Sequence, residues 1–308
     1  MRGPLMGRRV LAVALGALVA FPAASHATVT IGSNLGREPD STPDDNLTGA
    51  QETLPAGAQA AGGVTSPVNG VVTLWRARAA DTGPLSLKVV RPVGGGLFTG
   101  AGTSSLVTPA PNNISSFASS IPISIGDRIG IHNTGSFGSL EIALGEPGSV
   151  ANAWVPALID GGPGRAPSAS EAVELTVNAD IEPTSAFTIE KVQKLKKSRL
   201  RVTVDLPNPG TLTAGDSRDA STASAAAKKK KKKKKKKKNF LRRSTATATA
   251  PGQVTLIVRA TKAARKALKR KFKKTGTKKA KVKAKLKLSF TPPFGTPATN
   301  VTKAKLRR

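Results

Sequence analysis

The sequence predicts an all-β protein made of two β-sandwiches, on three observations. Through the first half, short segments of strand character such as "GVVTLWRAR" (Gly70–Arg78), "LSLKVVRPV" (Leu85–Val93) and "DRIGIHN" (Asp127–Asn133) recur between Gly, Pro and Asn turns. No useful window there repeats apolar residues at helical spacing. Near the end, "KKAKVKAKLKLSF" (Lys278–Phe290) alternates without a break. Ala280, Val282, Ala284, Leu286, Leu288 and Phe290 take one face, and Lys281, Lys283, Lys285 and Lys287 the other.

In chain order, the first element is an export signal. Arg2, Arg8 and Arg9 flank or precede a compact apolar run, "VLAVALGALVAF" (Val10–Phe21). "PAASHA" then supplies the small residues that a signal peptidase reads, so cleavage is expected after Ala27. The run is short for a membrane span. Residues 28–63, rich in Gly, Pro, Asp and Thr, are expected to be loop-rich, with one short strand. A first sandwich is expected over 64–184. It includes "ISSFASSIPISI" (Ile114–Ile125), where Ile121, Ile123 and Ile125 share a face, and "SLEIALG" (Ser139–Gly145).

The composition changes near "DIEPTS" (Asp180–Ser185), and a small Ig-like sandwich is expected over 185–308. Leu200, Val202, Val204 and Leu206 are in phase in "RLRVTVDL", as are Val254, Leu256 and Val258 in "GQVTLIVRA". "KAARKALKRKFKKTG" changes period. Ala264, Leu268 and Phe272 form a helix stripe, Gly276 suits the position just past the helix end, and the lysines of the last turn complement the dipole.

The 308-residue chain carries a net charge of +31, unevenly spread. Residues 28–185 hold seven Lys/Arg against fourteen Asp/Glu, whereas residues 220–308 hold thirty-two Lys/Arg and no acid, Asp219 being the last carboxylate. A mildly acidic half is thus joined to an intensely basic one, which points to a polyanionic partner. The absence of cysteine excludes disulfides, thiolate metal sites and cysteine nucleophiles, and leaves stability to packed cores.

The lysines fall into two groups. Eleven unbroken lysines, Lys228–Lys238, lie between two predicted strands, within a low-complexity stretch over 216–250. An insertion there costs little closure entropy, and its like charges keep it extended. The run therefore reads as an inserted, solvated, disordered loop, with Lys228, Lys233 and Lys238 as accessory polyanion contacts. Lys281, Lys283, Lys285 and Lys287 instead share one face of a folded sheet with no compensating acid. No aromatic residue interleaves them, so nucleic acid would be held without regard to sequence.

Catalysis has little support, and no catalytic residue, metal or cofactor is assigned. After leader removal His132, in "GIHNTG", is the one histidine; it has no flanking Ser or Cys signature and reads as structural. Asp40, Asp44, Asp45 and Asn46 lack EF-hand spacing and read as solvated loop. A carboxylate pair such as Glu141 with Glu146 would make an exported hydrolase, the third-ranked reading. The runner-up is sugar binding by the first sandwich, which calls for an exposed aromatic residue. Trp75 lies in an apolar strand and reads as core, so Trp154 in "ANAWVPALID" is the surface candidate.

The series "GTLTAG", "GQVTLIVRATKAARKALKRKFKKTGTKKAKVKAKLKLSFTP", "GTPAT" and "KAKLRR" resembles the Lys-rich Ig-like module that ends many uncharacterised secreted bacterial proteins. Upstream, "TSPVNGVVTLWRAR", "LSLKVVRPVGGG" and "IPISIGDRIGI" are similar to the jelly-roll-type domain that often precedes it. The resemblance covers most of 64–308. It implies a jelly-roll-like first sandwich, an Ig-like second one, an envelope or extracellular location, and no active-site residue. The polylysine departs from the module's compact loop. The expectation is an exported, non-enzymatic structural or adhesion protein whose basic module rests on an anionic envelope polymer, a membrane surface or non-specific nucleic acid.

Overall fold

The computed structural model describes residues 28–40, 46–80, 83–133, 142–144, 147–218, 239–276 and 280–307. The expected leader (1–27), the lysine run (228–238), Asp44, Asp45, Glu141 and Glu146 lie outside the described residues. Within them the protein is all-β apart from one helix.

The strands of the first half are β1 (Val29–Gly32), β2 (Leu47–Thr53), β3 (Gly70–Arg78), β4 (Leu85–Gly94), β5 (Leu97–Thr103) and β6 (Ile114–Ile123), then β7 (Arg128–Asn133), β8 (Ile142–Leu144), β9 (Val150–Trp154), β10 (Ala169–Glu171), β11 (Val173–Leu175) and β12 (Val177–Pro183). One sheet has the order β1-β12-β3-β6 and the other β10-β9-β2-β7-β4-β5, with β8 and β11 as a separate pair. Strands β8–β11 are inserted before the last frame strand. Without them, β1-β12-β3-β6 faces β2-β7-β4-β5, the double Greek key of a jelly roll. Ile31, Val72 and Ile181 from one sheet meet Leu87, Ile129 and Ile131 from the other in a buried layer. Trp75 is part of this core, as its strand pattern predicts, with its ring 4.8 Å from that of Phe117.

The stretch 28–63, expected to be loop-rich with one short strand, carries two strands. β1 pairs with β12, and β2 lies between β9 and β7 inside its sheet. "LTGAQET" has little strand preference of its own, and neighbours on both sides hold it extended. Buried Gln51 adds a polar stitch: its Nε2 donates to Val150 O (3.0 Å) and Val173 O (3.1 Å), and its Oε1 accepts from Leu175 N (2.7 Å).

The second half contains β13 (Thr188–Leu195), β14 (Arg199–Leu206), β15 (Gly210–Asp216), β16 (Ser244–Ala248), β17 (Gly252–Arg259), α1 (Lys262–Thr275), β18 (Lys281–Thr291) and β19 (Ala298–Arg307). β13-β14-β17 packs against β16-β15-β18-β19, an Ig-like three-on-four sandwich with the helix as the β17–β18 crossover. β16 falls within the stretch expected to be low-complexity loop. Its Ser and Thr alternate with Ala, and pairing to β15 makes it a strand.

The alternation in β18 is realised: Val282, Ala284, Leu286, Leu288 and Phe290 are all buried, against Leu200, Val202 and Leu256 of the facing sheet. Helix α1 closes the core with buried Ala264 and Leu268. Thr261 Oγ1 caps its start by accepting from Ala264 N (3.2 Å). Gly276, at φ 62°, ends it in the left-handed region, its N–H donating to Phe272 O (3.0 Å).

Candidate polyanion-binding site

The antiparallel pairing of β18 with β19 sets Lys281 opposite Arg307, Lys283 opposite Lys305, and Lys285 opposite Lys303. All six side chains are exposed on the outer face of the sheet, and Lys287, one step further, is half-buried opposite Val301. Like charges directly opposite each other destabilise a sheet, so the sequence places three unfavourable pairs in a row. Their field reaches β13. Arg307 is the largest influence, followed by desolvation, Lys305 and Lys281, and together they hold the Lys194 ammonium below its ordinary value. The β19 cations Lys303, Lys305 and Arg307 are not singled out by the sequence reading. The alternation in "TKAKLRR" carried the signal, but only the register shows that it doubles the lysine row.

Counter-charge is sparse. Among the described residues of the second sandwich the carboxylates are Glu190, Asp205 and Asp216. Asp205 pairs in register with Thr188, at the end of the β13–β14 hairpin away from its turn. Asp216 is fully engaged at the root of the lysine insertion. Its carboxylate accepts from Arg218 Nε and Nη2 (both 2.7 Å), Arg218 N (3.2 Å) and Phe240 N (2.6 Å). Desolvation opposes this charge most strongly, but the Arg218 guanidinium and the two backbone N–H groups outweigh it and hold the Asp216 carboxyl below the usual range. The Arg218 guanidinium stacks over the Phe240 ring at 4.6 Å. The two flanks of the insertion are therefore clamped together where it leaves the sheet.

Root and face share one hollow of about 700 Å³, with Ser217 and Arg218 on one side and Lys283, Lys285, Lys303 and Lys305 on the other. Ser217 N donates to Lys285 O (3.0 Å), which carries the β15–β18 pairing one residue beyond the strand. The structure thus brings the strand lysines to the origin of the insertion that contains Lys228, Lys233 and Lys238.

Trp154, the surface candidate for sugar, is buried (1% exposed), and that expectation is corrected. Residues 155–165 strap the outer face of the six-stranded sheet. Leu158 N donates to Thr48 Oγ1 (3.0 Å), and Phe98 and Arg165 exchange backbone bonds (both 2.8 Å). Beneath the strap Trp154 packs edge-on to Phe98, and its Nε1 donates to Arg165 O (3.3 Å).

His132 lies half-buried on the same outer face, near Lys88 and Asp160. Desolvation, then Lys88, lowers its pKa, while a Leu47 backbone bond and Asp160 act the other way. Its Nδ1 is buried with no hydrogen-bond partner among the described residues. Lys88 Nζ meets Asp160 Oδ1 (2.8 Å) and Thr103 Oγ1 (2.7 Å). Asp40 and Asn46 are exposed. Among the described residues no three His, Cys, Asp or Glu side chains gather as a metal site, and no helix is long and apolar enough to cross a membrane.

No protein-family model matches the chain, and no curated protein matches it. Among solved structures it is similar to the glycoside hydrolase domain of Endo-D from Streptococcus pneumoniae R6, at 8% identity and a TM-score of 0.20. The match covers 87% of this chain and 36% of that one.

Proposed function

We propose that this is an exported, non-enzymatic structural or adhesion protein of the envelope or extracellular space, which associates electrostatically with anionic polymer through its basic sandwich. What supports the reading is the β18–β19 face, where three like-charged pairs are held in register and exposed, while the carboxylate on the adjoining strand, Asp216, is already taken up by Arg218 and the Phe240 N–H. A sheet that keeps such repulsion is stabilised by an anionic strand lying along it, which releases counterions as it binds. The lysine insertion leaves the same hollow and adds reach. Membrane headgroups and nucleic acid are lesser ligands of the same chemistry, held without selectivity.

The test measures binding of the mature chain, with and without Lys228–Lys238, to polygalacturonate and to poly(glycerol phosphate) across a salt series. The expected result is binding by both chains that falls steeply with salt, more so with the insertion present. Binding that disappears with the insertion would reduce the sandwich to a scaffold.

A further inference from the structure

A second hollow, of about 510 Å³, opens where the β13–β14 turn meets α1. Its wall carries five cations, Lys197 from the turn, Arg199 from the start of β14, Arg259 from the end of β17, and Arg265 and Lys269 from the helix, with no carboxylate in the lining. We propose that this hollow is a phosphate subsite, which seats one phosphate group and makes the module prefer phosphate-bearing polymers over carboxylate ones. The preference among polymers rests on the polyanion reading above; the binding of phosphate itself does not.

The hollow concentrates cations against the ordinary rules of pairing. Arg199 and Arg259 stand directly opposite each other in the β14–β17 register, where like charges repel. Arg265 and Lys269 are one helical turn apart on the exposed side of α1, where like charges also repel. Lys197 and Ser198 both take left-handed backbone, φ 59° and 54°, a costly conformation for residues other than glycine. Two bonds hold the turn in it, from Ser198 Oγ to Arg307 O (2.8 Å) and from Ala260 N to Ser198 O (3.1 Å). A third, from Arg199 Nε to Lys196 O (3.3 Å), orients the guanidinium. An anion in the hollow would relieve both repulsions at once.

Phosphate is the fitting anion because three of the five cations are guanidiniums. Their planar forks match pairs of phosphate oxygens, and a phosphate group has oxygens enough to meet more than one fork. The β18–β19 face is built mainly of ammonium groups, which act as point charges and discriminate little between anions.

The experiment compares the mature full chain with an Arg199→Gln, Arg265→Gln variant and with a Lys283→Gln, Lys305→Gln variant that loses equal charge from the face. Inorganic phosphate is titrated at fixed ionic strength and followed by backbone amide NMR shifts. Saturable shifts at Ser198, Arg259 and Leu268 are expected in the parent and the face variant, and none in the hollow variant. Shifts that do not saturate, or that the hollow variant keeps, overturn the proposal. The second readout is the ratio of affinities for poly(glycerol phosphate) and polygalacturonate at equal charge density. It is expected to be about tenfold in the parent and the face variant, the order of one charge-assisted hydrogen-bonded pair, and to fall close to one in the hollow variant. A parental ratio close to one overturns the preference. If neither polymer binds while phosphate still saturates in the hollow, the adhesion reading fails and the subsite stands.

Discussion

The Asn208 side chain holds both backbone groups of Asn69, 139 residues away: Asn69 N donates to Asn208 Oδ1 (2.6 Å), and Asn208 Nδ2 donates to Asn69 O (2.9 Å). Asn208 Nδ2 also reaches Thr184 O (2.7 Å), and Asn69 Nδ2 reaches Pro207 O (2.7 Å). Ile125 N donates to Asn69 Oδ1 (3.0 Å), and Thr184 N to Asn69 O (2.9 Å). These bonds tie turns of the two sandwiches to the segment between them. The clasp sits just past the C-terminal end of β14, whereas Arg199 and the basic hollow lie at the other end, on the order of 20 Å away along an eight-residue strand. The acidic sandwich therefore grips the end of its neighbour opposite the cations, and leaves them unmasked.

Asn208 is completely buried, so Asn208→Ala takes their Asn208 partner from the Asn69 N–H and the Thr184 carbonyl, and leaves Asn69 O with the Thr184 N–H alone. The expected loss is about 2–3 kcal/mol of unfolding free energy, with the melting of the two sandwiches drawn apart in calorimetry. Asn208→Asp keeps the acceptor but sets an acceptor-only carboxylate oxygen against the Asn69 and Thr184 carbonyls in a fully buried site, and it should cost at least as much. An unchanged melting profile for Asn208→Ala would show that the clasp does not couple the units.

Asp216→Asn tests the clamp at the root of the insertion. The side chain of Asp216 is fully buried while Arg218 is 30% exposed, so water repays part of the broken pair. The expected cost is about 1–3 kcal/mol, with earlier proteolytic cleavage next to Arg218 and Phe240. Cleavage rates equal to those of the parent would mean that the flanks are held together by pairing of the strands alone.

What the sequence makes legible is alternation within one segment. β14, β18 and the α1 stripe can be read because their apolar residues repeat at a fixed period over eight or more positions. β1 and β2 cannot, because four residues of "VTIG" and the polar "LTGAQET" become strands through their neighbours. The burial of Trp154 was hidden for a related reason: its cover is the irregular strap over 155–165, which has no period to read. The lysines of β18 were visible as a row, but their opposition to Lys303, Lys305 and Arg307 is a fact of register. Arg199 and Arg259, sixty positions apart, meet only because β14 and β17 pair.

Lys305→Glu turns the Lys283–Lys305 opposition into an attraction. It should stabilise the protein by about 0.5–1 kcal/mol at low salt, and the gain should shrink at 0.5 M salt, where screening relieves the parent's repulsion. Polyanion binding should weaken at the same time. A variant that is less stable at low salt would show that the face is not under electrostatic strain.

The pH dependence of stability should have two limbs. The folded-state pKa of His132 is lowered, so below the unfolded value of about 6.5 the unfolded chain binds the extra proton first. Its contribution is whole above that pH and is lost as pH falls toward the folded value. Asp160, Asp180 and Asp216 are also lowered. Desolvation opposes each of them, and the bonds from Lys88, Arg76 and Arg218 respectively prevail. Their contributions are present above about pH 4 and are lost as pH falls further, through the folded values. Urea unfolding at pH 8, 5.5, 4.5 and 3 should show both declines in the parent. His132→Gln should remove the upper one and leave the lower, while Asp216→Asn should shrink only the lower. An upper decline that survives in His132→Gln would assign it to another group.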